Sequence, residues 1–364
     1  VEPRDEIEKK LVEVWQSVLD RRPISVTSNF FDVGGTSILA VRIFAKLRRA
    51  FDVEMPLATL FEAPTVERLA AKIREKTSSS AASAADDFRC IVELQRGDEN
   101  RPALFCVHGI GGNILIFHSL VRALGTDQTV YGIQARGVDG RHVAATTIEQ
   151  MASVYVRELR ELQPRGPYHL CGYSSGGLVA LEMARILLAQ GETIAFLGGL
   201  DSTHPQIFVG ESPVAVSLYS LRNHGIRSFL QTCRRVVFRG YLRTRVKNKL
   251  VKLCLRTGRK LPQFLRSQYL ALNFYEALKL YHPEPYAGDL VLFSAAVKSF
   301  HVDENLGWRK HVLGKIQVID VPGSHHDLLR KESVLELGTK LRAALDEVIH
   351  GASYDAGSTL VAAR

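Results

Sequence analysis

Residues 172–176 read Gly-Tyr-Ser-Ser-Gly, a G-x-S-x-G pentapeptide centred on Ser174. A serine hydroxyl is a poor nucleophile until a neighbouring base takes its proton and a third group orients that base. The pentapeptide alone is a weak signal, because five-residue matches arise by chance. Its setting says more. The apolar run "YHLCGY" leads into the serine, and "GGLVALEMARILLAQ" begins a helical stretch just after it. A tight strand-to-helix turn lifts a serine above the edge of a sheet, with flanking glycines letting the backbone pack closely. The competing reading is a glycine loop cradling phosphate at a helix N-terminus. No lysine follows as it does in a P-loop.

A base and its orienting group must reach the same edge. After the serine's helix, "TIAFLGGL" ends at Asp201. A right-handed strand–helix–strand unit sets the ends of neighbouring parallel strands side by side. Far downstream, "IQVIDV" leads into "PGSHHDLL", which brings either His325 or His326 to that edge. Ser, Asp, His is the chain order of the α/β-hydrolases. A developing oxyanion also needs backbone N–H donors. Ser175 supplies one directly after the nucleophile. A second is expected from the "HGIGG" loop (108–112), with the amide of Ile110 favoured. His108 precedes the glycines of that loop and is expected to support them, not to act as the base.

A second serine stands in "NFFDVGGTSILAVRIF", where Ser37 opens an amphipathic helical stretch. Helix capping accounts for it in the ordinary way. If Thr36 is the cap instead, Ser37 lies at a positive helix end that favours an attached phosphate. On the residues alone both readings stand, capping being the commoner.

The elements that must hold these residues fall into two groups, and 364 residues suit two domains. Residues 1–76 read as a bundle of helices, with Leu11, Val14, Trp15 and Val18 on one face of the first and Thr65 at the cap of the last. "TSSSAASAADD" (77–87) lacks any apolar residue larger than alanine and reads as a flexible linker. From residue 88 to about 350, short apolar runs alternate with helical stretches. That pattern implies a mostly parallel sheet covered on both faces. Residues 212 to about 282 interrupt the alternation with helical, basic sequence, as an insertion would. Residues 351–364 read as a frayed tail.

Composition narrows the function classes. With 46% hydrophobic and 23% charged residues the chain reads as globular protein. No apolar run reaches the roughly eighteen residues of a membrane span. The charged N-terminus does not read as a signal peptide, and a start without methionine suggests an excerpt of a longer polypeptide. Five cysteines are scattered without a CxxC pair, which argues against zinc or a disulfide framework and favours the cytoplasm; no metal is expected. Residues 212–275 carry fourteen Lys and Arg and no Asp or Glu, and removing those fourteen from the net +9 leaves −5. The excess belongs to one segment without a base-reading motif, so no nucleic-acid partner is expected.

Two resemblances join these readings. Residues 1–76 resemble a peptidyl or acyl carrier domain of a non-ribosomal peptide synthetase, through "NFFDVGGTSILAVRI" and "LFEAPTVERLA". The resemblance implies a 4′-phosphopantetheine arm on Ser37, attached by a phosphopantetheinyl transferase, and upstream synthetase modules as partners. Residues 88 to about 350 resemble the thioesterase domain that terminates such synthetases. The matching stretches are "HGIGG", "VYGIQARGVDG", "QPRGPYHLCGYSSGGLVALEMA", "YAGDLVLF" and "GWRKHVLGKIQVIDVPGSHHDLL". In that pattern the histidine two positions after the glycine of "PGSH" is catalytic, which selects His325. The family often has Trp and Phe around its serine, whereas this chain has Tyr173 and Ser175.

The implied function is release of an acyl chain from Ser37 through Ser174, by hydrolysis or cyclisation. The insertion corresponds to the family's lid, expected to line the acyl pocket and guide the phosphate-bearing arm. The alternatives are an editing thioesterase and a non-catalytic carrier-docking module.

Overall fold

A computed structural model describes residues 1–53, 55–78, 88–140, 142–204, 242–257, 261–298 and 303–361. Most of the expected linker, and the first half of the expected insertion, lie outside the described residues.

The N-terminal part is helical. Helix α1 (Glu6–Leu19) starts at Asp5, whose side chain accepts the Glu8 N–H at 2.9 Å. Its Leu11 and Trp15 are fully buried, and Trp15 meets Phe30 edge-on at 5.4 Å. Helix α2 (Ser37–Phe51) buries Ala40, Ile43 and Leu47, one stripe at helical spacing. Arg48 and Arg49 occupy its last turn, where positive charge suits the helix dipole. A short α3 (Thr59–Glu62) and α4 (Val66–Ser78) complete the bundle, with Thr65 Oγ1 capping α4 through the Arg68 N–H at 3.3 Å.

The rest is a seven-stranded sheet in the order β1-β3-β2-β4-β5-β6-β7. The strands are β1 (Ile91–Gln95), β2 (Leu104–Val107), β3 (Val130–Ile133), β4 (Tyr168–Tyr173), β5 (Ile194–Leu200), β6 (Leu290–Val297) and β7 (Ile316–Ser324). Among the described strands only β1 is antiparallel; each remaining pair is parallel. Helices cover both faces. α6 (Ile148–Leu162) and α7 (Gly176–Ala189) pack one core through Tyr155, Leu159, Leu178 and Leu181. α5 (His118–Ala123) and α10 (Lys331–Val361) pack the other through Leu120, Leu337 and Leu341. β2 and β4 are buried at every residue, as central parallel strands must be.

Between β5 and β6 the described residues hold α8 (Leu242–Arg256) and α9 (Gln263–Leu280), a helical insertion. α10 continues to Val361, into the segment expected as a tail. β1 had no counterpart in the sequence reading. Its start is held by the buried Glu158 carboxylate of α6, which accepts the N–H groups of Cys90 and Ile91 at 2.7 and 3.2 Å.

Candidate active site

The carboxyl ends of β2, β4, β5, β6 and β7 converge on one edge, where open α/β sheets bind ligands. Ser174 follows β4 directly and has φ +55°, the left-handed region that a non-glycine residue adopts at a strained turn. Its N–H donates to the Leu200 carbonyl at 2.9 Å, and the Gly177 N–H donates back to the Ser174 carbonyl at 3.1 Å. The following helix enters very close to β2: a Cβ on Gly176 would lie 2.3 Å from the His108 carbonyl oxygen. Only glycine fits there. Ser174 is half-buried and therefore reachable.

Asp201 lies one residue beyond β5, 8% exposed, with φ +42°. Its Oδ2 meets His325 Nδ1 at 2.6 Å. Its Oδ1 accepts the Ala295 N–H at 2.8 Å and Lys298 Nζ at 3.2 Å. Burial works to raise this carboxyl, but the His325 hydrogen bond and the Lys298 charge outweigh it, so the group stays below the ordinary carboxylate range. His326 is set edge-on to His325 at 5.5 Å. Sequence reasoning without the resemblance left these two histidines undecided, and His325 is the one bound to Asp201.

Among the described residues, Ser174 Oγ makes no hydrogen bond. The chain therefore forms the His325–Asp201 pair and leaves the serine's own link open. Such links are commonly loose until substrate binds.

The "HGIGG" loop follows β2. The Ile110 and Ser175 amides donate to no backbone carbonyl among the described residues. Ser175 Oγ is buried and finds no partner among them either, so this side chain is not a helix cap. His108 is 3% exposed, with Nε2 2.8 Å from the Tyr155 hydroxyl and Nδ1 2.6 Å from the Gly109 carbonyl oxygen. Burial pushes its pKa down to about 4. It is a neutral brace for the loop. Gly112, at φ +77°, sits under α9, where a Cβ would approach Leu270 Cδ1 to 2.5 Å. An apolar pocket lies here, lined by Ile110, Met151, Val154, Leu270 and Phe274.

Ser37 is the first residue of α2, and the cap is Thr36, whose Oγ1 accepts the Leu39 N–H at 3.4 Å. Capping thus falls to Thr36. Gly34, at φ +97°, has open space around it, and no acidic residue stands in the helix's first turn. This end of α2 fits a bulky anionic substituent. The N-terminal helical part also touches the α/β domain. Phe31 stacks on His118 at 3.8 Å, and Asp32 pairs with Arg122.

Residues 102–341 match the family model described as thioesterase domain, and residues 9–73 match that of the phosphopantetheine attachment site. The chain belongs to the thioesterase-domain family. Ahead of that domain stands a carrier, of the kind that holds phosphopantetheine covalently on a serine. A dimodular nonribosomal peptide synthase of Bacillus subtilis (strain 168) is 32% identical over 359 residues, covering 95% of this chain and 14% of that protein. Malpibaldin synthetase of Mortierella alpina is 31% identical over 347 residues, covering 94% of this chain and 6% of that protein. A crystal structure of a holo four-domain nonribosomal peptide synthetase bound to AMP and glycine superposes with a TM-score of 0.58 at 28% identity. That match covers 94% of this chain and 26% of the other. The chain thus shares with these synthetases a carrier followed by a thioesterase domain, and it spans a small fraction of their length. Among the described residues no helix is long and apolar enough to cross a membrane, and no cluster of side chains could hold a metal.

Proposed function

We propose that the chain releases an acyl or peptidyl group from its own carrier through a Ser174–His325–Asp201 triad. The observation that carries this reading is the 2.6 Å His325–Asp201 bond, at the sheet edge where Ser174 occupies a left-handed turn. A 4′-phosphopantetheine on Ser37, added by a phosphopantetheinyl transferase, would present the acyl group as a thioester.

His325 Nε2 takes the Ser174 hydroxyl proton as Oγ attacks the acyl carbonyl carbon. Asp201 holds Nδ1–H, which fixes the tautomer and stabilises the imidazolium. The Ile110 and Ser175 N–H groups receive the oxyanion that forms. As the carbon–sulfur bond breaks, His325 returns the proton to the departing sulfur, and the acyl group remains as an ester on Ser174. Water or a nucleophile within the acyl chain then attacks that ester, His325 taking its proton and returning it to Ser174 Oγ as the acyl–oxygen bond breaks. The apolar side chains of Ile110, Leu270 and Phe274, beside the "HGIGG" loop, would border the acyl chain and limit water. Of the fourteen basic residues expected to guide the phosphate, seven lie outside the described residues and seven stand on α8 and α9. Upstream modules of a cytoplasmic synthetase would supply the acyl chain.

The test is to load Ser37 with candidate acyl-pantetheines and identify products by mass spectrometry. Release that depends on Ser174 supports the reading. Acyl groups left on the carrier would favour a docking module, and release confined to short, non-cognate acyl groups would favour editing.

A further inference from the structure

β6 ends beside the Asp201 carboxylate and brings a cation with it. Lys298 Nζ lies 3.2 Å from Asp201 Oδ1 and also donates to Ser294 Oγ, a buried hydroxyl on the same strand. The opposite oxygen, Oδ2, is the one bonded to His325. One carboxylate therefore serves two cationic partners, Lys298 and the imidazolium that forms during catalysis. No motif around Lys298 points to this, since it follows the last residue of an apolar strand.

We infer that Lys298 is a positioning residue which locks the rotation of Asp201 and takes a share of its charge, so that the carboxylate presents less of that charge to the imidazolium formed in catalysis. The inference rests on the proposed triad. The physical basis is Coulombic. The Asp201 side chain is 9% exposed and that of Lys298 24%, so their pairing is only partly screened. A carboxylate already shared with a permanent cation offers less negative potential to a proton arriving on the imidazole. The Ala295 N–H on Oδ1 would still orient Asp201 without the lysine, so charge and geometry can be separated.

The other charged and titratable groups around the pair come from three directions. His326 and Asp327 lie on the loop after β7, where Asp327 accepts from Ser324 Oγ at 2.6 Å. Arg330 stands just before α10 and acts through space on Tyr173. Tyr173 comes from the end of β4, stacked on the His325 ring. Lys298 is the cation in direct contact with Asp201.

The experiment compares wild type, K298M and K298R on a soluble acyl thioester, following kcat/KM from about pH 5 to about pH 9. The acid limb for K298M should move up by about half to one pH unit, with KM at the plateau unchanged, and K298R should follow wild type. The downfield proton of the His325–Asp201 bond, read by proton NMR, should persist to higher pH in K298M. Superimposable profiles for K298M and wild type would overturn the inference. So would an equal shift in K298R, which would make the effect one of packing. Labelling of Ser174 by a fluorophosphonate in wild type tests the triad separately. An unlabelled wild type removes the underlying reading, whereas a labelled wild type with an unshifted K298M removes only the role of Lys298.

Discussion

The Tyr173 hydroxyl donates to the main-chain carbonyl of His325 at 2.9 Å, and the two rings stack 5.1 Å apart. One residue before the proposed nucleophile thus grips the proposed base from a strand 152 positions away in sequence. Burial, with the Asp201 charge adding to it, pushes the Tyr173 hydroxyl up to about 12, so it stays a donor at neutral pH. Tyrosine here does what a tryptophan could not do in the same way. Its ring packs on the imidazole while its hydroxyl fixes the loop.

Replacing Tyr173 with Phe keeps the stacking and removes the hydrogen bond. The bond is worth about 1 kcal/mol, or about fivefold in kcat if its loss falls wholly on imidazole alignment. Steady-state kinetics on a soluble thioester should therefore find kcat lowered about fivefold with KM little changed. A wild-type kcat in Y173F would show that the loop is held without it.

S174A should abolish release while Ser37 still gains its pantetheine mass. H325A should lose activity and H326A should keep most of it, because Asp201 bonds to His325 and not to its neighbour. S37A should fail to gain the mass yet still cleave soluble thioesters. Mass spectrometry and a thiol-release assay check all four, and an inactive H326A beside an active H325A would reverse the assignment.

Asp201→Asn keeps the shape of the side chain and removes its charge. An amide can donate where the carboxylate accepts, which invites the wrong imidazole tautomer, and losses of about 10³–10⁴ in kcat follow from that kind of change. A loss under tenfold would mean that another carboxylate, such as Asp327, orients the base.

The central strands were legible in the sequence because they are buried on both faces, whereas the edge strand β7 was read from its apolar residues in "IQVIDV" although much of it is exposed. "YHLCGY" and "TIAFLGGL" are continuous apolar runs because helices cover them on both sides. Ile91–Gln95 escaped notice for the opposite reason: it is a short antiparallel edge strand that carries the exposed Glu93. Ser174 and Asp201 could be placed from strand ends alone, whereas His325 and His326 differ by one residue on a loop whose conformation no periodicity encodes. Lys298 and Tyr173 act through contacts between strands distant in sequence. Thr36, by contrast, was readable as a cap because capping is local, and α2 begins just after it.

Three buried histidines and the half-buried His118 give the fold a definite acid response. Burial lowers His108, His118 and His169 to about 4 and His204 to about 3. Unfolded histidine titrates near about 6.5, so below that pH the unfolded chain binds protons that the folded chain refuses. Their contribution is complete above about pH 6.5 and is lost progressively as pH falls toward their folded values. Asp201, whose pKa is lowered, adds a further loss only below the ordinary carboxylate range. Urea midpoints should hold between about pH 7.5 and about pH 6.5 and fall from there down to about pH 4.5. A flat profile would refute the burial of these rings.

The carrier contact makes a prediction that separates tethered from free substrate. Phe31 and Asp32 stand shortly before Ser37, and their partners His118 and Arg122 lie on α5, shortly after the "HGIGG" loop. Docking therefore joins the neighbourhoods of both functional segments. The Asp32–Arg122 pair is exposed, and such pairs contribute at most about 1 kcal/mol. Reversing one charge replaces that attraction with repulsion, and salt should screen the effect. In single-turnover assays R122E should slow release from Ser37 about two- to fivefold at low salt. Turnover of a soluble thioester should not change, because Arg122 touches no proposed catalytic residue. The D32R/R122D swap should recover most of the loss. Equal slowing of both substrates, or a swap that recovers nothing, would mean that this contact does not guide the loaded carrier to Ser174.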